Sequence, residues 1–256
     1  MSRSAKPDLA TCVTLACLWE ALAPKPGNVY RGADFEDLTF ADFAASATVV
    51  GPPLGRAGEG VGDAAFAAVD AMRNAVGTNA YLGAVLLLAP LAAAASRGVP
   101  VAATIGGVLD ELGAADAIAV YAAIRLAEPG GMGEVAVADV AGEPPPELGL
   151  VEAMALAAER DLVARQYVNR FADVAAVANL IAAGTDRGWS LCDAIVHAHV
   201  TTMAMHPDSL IARKCGSQVA EQAAARARLP TPTPWPISTS GSARTDIGAT
   251  RGRRPT

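Results

Sequence analysis

The sequence predicts an all-α protein, a single-domain bundle of about ten helices with a disordered C-terminal tail. Hydrophobic residues make up 52% of the 256 residues and aromatic residues only 5%, so the core must be built from Ala, Leu and Val. Small side chains let helices approach closely but bury little apolar area each, which favours many helices over a few. Apolar residues recur at helical spacing, and we find no convincing strand alternation, although residues 135–140 are a short candidate.

Each predicted helix has a local reason to begin or end. Pro24 ends the first helix, and Thr39 with Asp42 resembles a weak capping box before the second. Gly77 stops the third helix, and Asn79 is a good N-cap for the apolar helix that follows. The predicted helices cover residues 8–22, 39 to about 50, 62–76, an apolar segment after 79, 101–112, 115–127, 150–166, 169–183, 190–205 and 208–228.

Two stretches between the helices are predicted to be irregular. Residues 51–55 contain two adjacent prolines and indicate a loop, and the glycines and prolines of residues 128–147 mark turns. Residues 1–229 are predicted to form one domain. Residues 230–256 are rich in Pro, Ser, Thr, Gly and Arg, with too little apolar material to fold, so we expect a disordered basic tail that is passive rather than functional.

Composition narrows the classes of function. A net charge of -6 and a pI of about 5.1 argue against nucleic-acid binding. The most apolar run, residues 81–95 with a proline inside, is shorter than the roughly 20 residues of a membrane span, and no signal peptide is visible. The four cysteines form no CxxC pair, as expected of a reduced cytoplasmic protein. A homo-oligomer stays possible.

The opening loop, residues 24–34, reads PKPGNVYRGAD and interrupts the helical pattern. Its two prolines fix φ, so that Lys25 is aimed at low entropic cost, and Gly27 allows close backbone approach to a ligand. Helix termination is the alternative role of the prolines, although one proline would be enough for it. A lysine in such a loop is a candidate ligand for phosphate.

Carboxylates flank the opening loop: Glu20 precedes it, Asp34 closes it, and Glu36 and Asp37 follow. Mg²⁺ prefers oxygen ligands and keeps substrate phosphates in its shell. One or two of these acids are therefore candidate ligands for a metal-nucleotide. A helix-start role is the alternative for Glu36 and Asp37, and it is the favoured one for Glu36.

Other polar clusters lie at predicted helix ends. Thr78 and Asn79 stand before an apolar helix whose N-terminus could hold a phosphate, although plain helix capping is the favoured alternative. Asp208 would cap a later helix, with Arg213 and Lys214 about one turn in, either as phosphate ligands or as solvated surface charges. The glycine stretch of residues 129–133 forms a further cluster.

The remaining motifs argue against common sites. His197 and His199 are two residues apart and would point in different directions on a helix, so metal binding by them is not expected. The sequence contains no GxxxxGK[ST] loop and no GxGxxG after a strand, which leaves the common nucleotide-binding folds unsupported.

Taken in order, these segments resemble the triphosphoribosyl-dephospho-coenzyme A synthase family. The resemblance rests on Glu20 before PKPGNV, Asp34 before TFADFAASA, then GTNAYLGAVLLLAPL, PGGMGE and DSLIARKCG, and it covers about residues 10–220. The pattern is closest to the shorter members, seen in archaea and in bacteria with one-carbon pathways. The resemblance implies an all-helical enzyme that uses ATP and dephospho-coenzyme A, releases adenine and makes a prosthetic-group precursor.

The resemblance also implies roles for the candidate residues. Phosphate and substrate binding falls to Lys25, Gly27, Asn28, Thr78, Asn79, Arg213 and Lys214, Mg²⁺ binding with ATP to Asp34 and Asp37, and catalysis to Glu20 and Asp208. An oxocarbenium-like centre at C1' of the donor requires a carboxylate as general base or as stabiliser of positive charge. Either Glu20 or Asp208 meets that requirement.

Two alternatives remain open at the level of sequence. The family's usual GVNTHKG appears here as GTNAYLG, without the His and Lys. This difference favours either a homologue acting in tetrahydromethanopterin or related cofactor biosynthesis, or a nucleotide-binding protein without catalysis. Retention of Lys25, Asn79, Asp208, Arg213 and Lys214 argues against complete loss of function.

Overall fold

The computed structural model describes residues 7–98, 100–128, 142 and 144–228. Over these residues the chain forms α-helices and no β-strand, which confirms the all-α prediction. The helices are α1 Leu9–Leu22, α2 Phe40–Leu54, α3 Val61–Val76, α4 Leu82–Ser96, α5 Val101–Glu111, α6 Ala114–Ala127, α7 Leu150–Ala155, α8 Leu162–Val168, α9 Ala172–Asp186, α10 Leu191–Met205, α11 Ser209–Cys215 and α12 Ser217–Ala227.

The helix ends follow the predicted capping chemistry. The Asp8 carboxylate accepts a hydrogen bond from Thr11 N at 2.7 Å and starts α1. Thr39 and Asp42 form the predicted capping box of α2. Gly77 ends α3 with a φ of 70°, a conformation that glycine adopts without strain.

Residues 51–55 do not form the predicted loop. Helix α2 continues through Pro52 and Pro53 to Leu54, and hydrogen bonding resumes with Gly55 N donating to Gly51 O at 2.8 Å. Pro52 and Pro53 cannot donate to the carbonyls four residues earlier, which belong to the exposed Thr48 and the half-buried Val49. The complete burial of Val50 and Leu54 offsets the cost of the prolines.

Two predicted long helices are each divided in the structure. The segment 150–166 breaks after α7, and Asp161 restarts it as the N-cap of α8, accepting from Val163 N at 2.8 Å and Ala164 N at 3.0 Å. The segment 208–228 breaks at Gly216, which has a φ of 94°. An aspartate N-cap and a positive-φ glycine are local features that outweigh continuous helical periodicity.

The core lies among the first eight helices, which touch through small residues. Its fully buried side chains include Val69, Met72, Val85 and Tyr167. The Tyr167 hydroxyl donates to Leu86 O at 2.6 Å, which fixes α8 against α4. Most side chains of the core cluster are those of Ala and Val, which agrees with the predicted core of small residues.

Helices α9 and α10 form a hairpin beside α1. Gly184 of α9 packs so closely on α10 that an added Cβ would lie 2.9 Å from the Ala194 Cβ. Most of α9 is exposed or half-buried, so the hairpin stands at the edge of the bundle. This position leaves a cleft between the hairpin and the end of α1.

Some predictions concern residues outside the described part of the chain. These are the short strand candidate at 135–140, the glycine stretch at 129–133 and the tail at 230–256. Within the described ranges, no single helix is long and apolar enough to cross a membrane; α4 and α5 together meet the length and composition criteria, but they are bent by 111°.

Candidate active site

A pocket of about 530 Å³ opens between the end of α1, the opening loop and helices α9 and α10. Its volume lies within the roughly 300–1,000 Å³ typical of small-molecule sites. We call it the Glu20 pocket; it is lined by Ala16, Trp19, Glu20, Lys25, Asn28, Val177, Ile181, Leu191, Ile195, His199 and Thr202. The wall is therefore mostly apolar, with a polar corner near the opening loop.

The opening loop begins with a tight turn over residues 25–28. Asn28 N donates to Lys25 O at 3.3 Å, and Gly27 has a φ of 81°. Proline at the second position and a positive-φ glycine at the third are the pattern of a type II turn, which rotates the central peptide. Gly27 is therefore required by the turn, and the rotated peptide presents the Pro26 carbonyl to its surroundings.

Lys25 folds back onto α1 and is almost completely buried. Its ammonium lies 2.9 Å from Glu20 Oε1, and it also donates to the Glu20 backbone carbonyl in the last turn of α1. A cation is favourable at a helix C-terminus, where unpaired carbonyls carry negative partial charge. An ammonium has three N–H donors, and both acceptors that Lys25 has among the described residues belong to Glu20.

Glu20 presents an unsatisfied oxygen inside the pocket. Its Oε1 pairs with Lys25, whereas its Oε2 is shielded from solvent and has no hydrogen-bond partner among the described residues. Leaving a buried acceptor unsatisfied costs about 1–3 kcal/mol, and more when it is charged. Such an oxygen is matched to a donor that arrives with a ligand, such as a hydroxyl.

His199 enters the polar corner from α10, and sequence reasoning missed it. Its Nε2 lies 3.1 Å from Pro26 O, and because a carbonyl only accepts, Nε2 carries the hydrogen. Burial and the nearby Lys25 charge lower the pKa of His199, more than the hydrogen bond to Pro26 and the charges of Asp208 and Glu20 raise it. The ring is therefore neutral at neutral pH, and Nδ1 offers a lone pair.

Asp208 lies close enough to His199 to act on its charge, as the raising effect on the histidine pKa shows. Its Oδ1 accepts a hydrogen bond from Ile211 N at 2.9 Å, the capping role expected at the start of α11. The structure therefore brings both predicted catalytic carboxylates to the same region. Of the two, Glu20 lines the pocket itself.

The predicted phosphate-binding residues divide into three groups. Lys25 and Asn28 line the Glu20 pocket, with Gly27 between them in the turn. Thr78 and Asn79 are not part of its described lining, and Asn79 Oδ1 instead accepts from Leu82 N at 3.0 Å, the alternative capping role. Arg213 and Lys214 belong to α11, but their side chains lie outside the described part of the structure.

The predicted metal ligands lie on the outer side of the opening loop. Asp34 and Asp37 are both exposed, and Asp34 Oδ1 accepts from Phe40 N at 2.7 Å, which joins the loop to α2. In the described part of the chain, no three His, Cys, Asp or Glu side chains group in a way that could hold a metal ion. The roles of Asp34 and Asp37 as Mg²⁺ ligands therefore stay a prediction.

A hydrogen bond close to Glu20 connects α4 to α1. The Tyr81 hydroxyl donates to Cys17 O at 2.8 Å and connects the start of α4 to α1. Burial and the negative charge of Glu20 raise the pKa of both groups, that of Cys17 to about 12. Cys17 is therefore an unreactive thiol, and neither residue takes part in proton transfer near neutral pH.

A second pocket, of about 410 Å³, lies between α5, α6, α7 and α8. Arg170 borders it and forms an ion pair with Asp110 at 2.7 Å. None of the site residues predicted from sequence lines this second pocket. Of these two pockets, the Glu20 pocket is therefore the one that is lined by site residues predicted from the sequence.

Comparison with known proteins agrees with the family resemblance. The family model for ATP:dephospho-CoA triphosphoribosyl transferase matches residues 6–236. No curated protein and no solved structure gives a match. The match spans far more than half of the chain and includes the Glu20 pocket and all of the predicted site residues. The chain therefore belongs to the ATP:dephospho-CoA triphosphoribosyl transferase family.

Proposed function

We propose that the Glu20 pocket is where this transferase moves the triphosphoribosyl group of ATP onto dephospho-coenzyme A and releases adenine. The family match supplies the reaction, and it supports neither a pterin-pathway role nor binding without catalysis. One observation supports the location above others: Glu20 Oε2 is buried and unpaired beside Lys25 in a pocket of ligand size.

The reaction breaks one bond at C1' of ATP and forms another there. The C1'–N9 bond breaks and its electron pair leaves with adenine, while a hydroxyl oxygen of the acceptor bonds to C1'. The acceptor hydroxyl loses its proton, and adenine gains one as it departs. An enzyme for this step must therefore remove a proton, stabilise positive charge at C1' and hold the triphosphate.

Glu20 suits proton removal and charge stabilisation. Its Oε2 has no hydrogen-bond partner among the described residues and can accept a hydroxyl hydrogen, while the Lys25 ammonium holds Oε1 in place. The same carboxylate would stabilise positive charge at a C1' bound beside it. Asp208 remains the second candidate base, although its Oδ1 already caps α11.

His199 and Lys25 suit positioning of the substrates. The His199 Nε2–H is occupied by Pro26, so its Nδ1 is directed to accept a hydrogen bond from a ribose hydroxyl or an amino group. The remaining N–H of Lys25 and the amide of Asn28 would contact phosphate or ribose oxygens. The proposed set of phosphate ligands is completed by residues assigned from the sequence: Thr78, Asn79, Arg213 and Lys214.

Mg²⁺ belongs to this proposal as the companion of ATP, and Asp34 and Asp37 are its proposed protein contacts. Each is a single exposed carboxylate, which fits an ion that keeps water and phosphate in its shell. We also place the reaction in the cytoplasm, with no nucleic acid or membrane involved and with a homo-oligomer as a possible form.

The test is incubation of the purified chain with Mg-ATP and dephospho-coenzyme A, with adenine and the ribosylated product followed by chromatography and mass spectrometry. We expect equal amounts of adenine and product, and neither when the acceptor is omitted. Replacing dephospho-coenzyme A by coenzyme A or by a reduced pterin tests the acceptor. Adenine release with the pterin alone would overturn the assignment.

A further inference from the structure

An exposed tryptophan stands directly beside the proposed base. Trp19 is 43% exposed and precedes Glu20 on α1, and both side chains line the same pocket. Exposing so large an aromatic surface forgoes the free energy that its burial would provide. An exposed aromatic ring at the mouth of a pocket is suited to stack on a flat ligand.

The wall around this tryptophan is apolar and is supplied by the hairpin. Val177 and Ile181 come from α9, one turn apart, and Leu191 and Ile195 come from α10 with the same spacing. The polar corner, with Glu20, Lys25 and His199, lies on the side of the opening loop. The pocket therefore has one part for a ring without charge and another for ribose and phosphate groups.

We propose that Trp19, with Val177 and Ile181, forms the subsite for an adenine ring, by stacking on its face. This inference rests on the proposed function only for the identity of the ring, because both substrates of that reaction carry adenine next to a reacting ribose. A ring bonded to a ribose that contacts Glu20 must lie within a few ångströms of Glu20. Trp19 precedes Glu20 on α1 and is the aromatic side chain of the pocket lining at that distance. The pantetheine arm of the acceptor fits this wall less well, since its amides need hydrogen-bond partners.

Binding of separate probes to the full chain tests the subsite by calorimetry. Adenine, ATP and dephospho-coenzyme A are expected to bind the wild type, with inorganic triphosphate and pantetheine as probes that lack the ring. Trp19→Leu is expected to weaken binding of adenine and of one adenine-bearing substrate by about 5- to 150-fold, the effect of losing one stacked base. Triphosphate and pantetheine affinities should not change. The substrate that loses affinity identifies whether the ring is that of ATP or of the acceptor.

Two further variants control for structure. Trp189→Leu is the matched variant, because Trp189 packs on His197 at 5.0 Å between ring centroids and does not line the Glu20 pocket. It should leave adenine affinity unchanged. Trp19→Phe keeps an aromatic face and should recover most of the affinity that Trp19→Leu loses. The inference is overturned if Trp19→Leu binds adenine as tightly as the wild type, or if pantetheine is the probe that loses affinity.

The two proposals fail in different ways. If the wild type releases adenine from ATP and Trp19→Leu keeps its affinity for every probe, the subsite is wrong and the function stands. If the wild type releases no adenine but binds it through Trp19, the subsite stands and the function is wrong. Adenine binding alone, without turnover, thus reports on the subsite independently of the reaction.

Discussion

At the scale of single residues, the lysine of the opening loop turns inward. Lys25 is buried against both the backbone and the side chain of Glu20 and satisfies the end of α1. It was predicted as a phosphate ligand aimed by two prolines, and that role stays a prediction. In the structure it holds Oε1 of Glu20, while Oε2 has no hydrogen-bond partner among the described residues.

Replacement of that carboxylate gives the first prediction. Glu20→Gln keeps an oxygen that accepts from Lys25 but removes the base, so kcat should fall by about 10²- to 10⁴-fold with little change in KM for ATP. Initial rates of adenine release measure this effect. Glu36→Gln, an exposed acid after the same loop, is the matched control. An unchanged kcat for Glu20→Gln would transfer the role of base to Asp208.

His199 predicts a dependence of stability on pH. Because the pKa of His199 in the folded chain lies below the ordinary histidine value of 6.5, the unfolded chain takes up its proton first as the pH falls. The stability that the neutral His199 ring contributes is therefore present above pH 6.5, and it is lost as the pH falls through the lowered pKa. Urea unfolding between about pH 7.5 and about pH 5 measures the loss.

Glutamine at position 199 isolates this effect. His199→Gln keeps a donor for Pro26 O but does not titrate, so its free energy of unfolding should fall less on acidification than that of the wild type. His197→Gln, the same substitution at an exposed position two residues earlier, is the matched control. Equal pH dependence in His199→Gln and the wild type would contradict the buried, neutral histidine.

The sequence predicted part of this site because part of it is local. Glu20, Lys25 and Asn28 lie within nine positions of one another, and their residue types indicated the chemistry. His199 was considered only as a metal ligand, and its hydrogen bond with Pro26, 173 positions away, has no local signal in the sequence. The capping oxygens of Asn79 and Asp208 were predicted from their places before helices.

At the scale of elements, close packing of α1 on α2 explains why a proline-rich segment is helical. A Cβ on Gly51 would lie 2.1 Å from Thr14 Oγ1 and 2.8 Å from Ala10 O. One on Gly55 would lie 2.9 Å from Ala10 N. Two glycines four residues apart thus let the end of α2 lie against the start of α1, because a helical backbone puts residues four apart on one face.

A pair of glycine substitutions tests this contact. Gly51→Ala should destabilise the protein by about 1–3 kcal/mol, because the backbone of α1 must move to admit the methyl group. Gly107→Ala, also inside a helix, should be neutral or stabilising by up to about 1 kcal/mol, since its added Cβ would meet only the Arg97 guanidinium, at 3.5 Å. Thermal unfolding of both variants distinguishes the two signs. A stabilised Gly51→Ala would mean that α1 and α2 are farther apart.

At the scale of the whole molecule, one carboxylate joins the hairpin to the bundle. Asp173 at the start of α9 accepts from Gln166 Nε2 and Asn169 Nδ2, both at 2.9 Å, and pairs with Arg165 Nε at 3.2 Å. Arg165 in turn lies 3.5 Å from His206 Nδ1, at the end of α10. The junction holds the start of α9 and the end of α10 to α8, and α9 and α10 also supply part of the wall of the Glu20 pocket.

Loss of the charge at this junction gives the last prediction. Burial acts to raise the pKa of Asp173, but its hydrogen bonds and the charges of Arg165 and His206 outweigh burial, and the pKa lies below 3.8. Asp173→Asn should therefore lower the free energy of unfolding by about 1–3 kcal/mol at neutral pH, and the difference should shrink as the pH falls below 3.8.

The matched control for this prediction lies on the same helix. Asp186 is exposed at the end of α9, and Asp186→Asn should change stability little at neutral pH. Chemical denaturation at neutral and acid pH compares the two variants. A difference between Asp173→Asn and the wild type that persists unchanged in acid would show that the carboxylate acts through shape and not through charge.

The overall architecture was accessible from the sequence because helical periodicity and caps are local. The breaks at Asp161 and Gly216 were missed, since an unbroken apolar period hides a short turn. The continuation of α2 through Pro52 and Pro53 was missed because its cause, the contact with Ala10 and Thr14, is a tertiary one. The hairpin's position beside α1, which creates the pocket, has no local signal at all.

The hydrogen bond between His199 and Pro26 has a consequence for synthesis of the chain. A ribosome releases the opening loop early, but the residues that close the pocket emerge 173 positions later. Translation proceeds at about 5–20 residues per second, so the first helices have several seconds to pack before α10 appears. A nascent chain therefore completes the wall of the Glu20 pocket only after α9 and α10 have emerged.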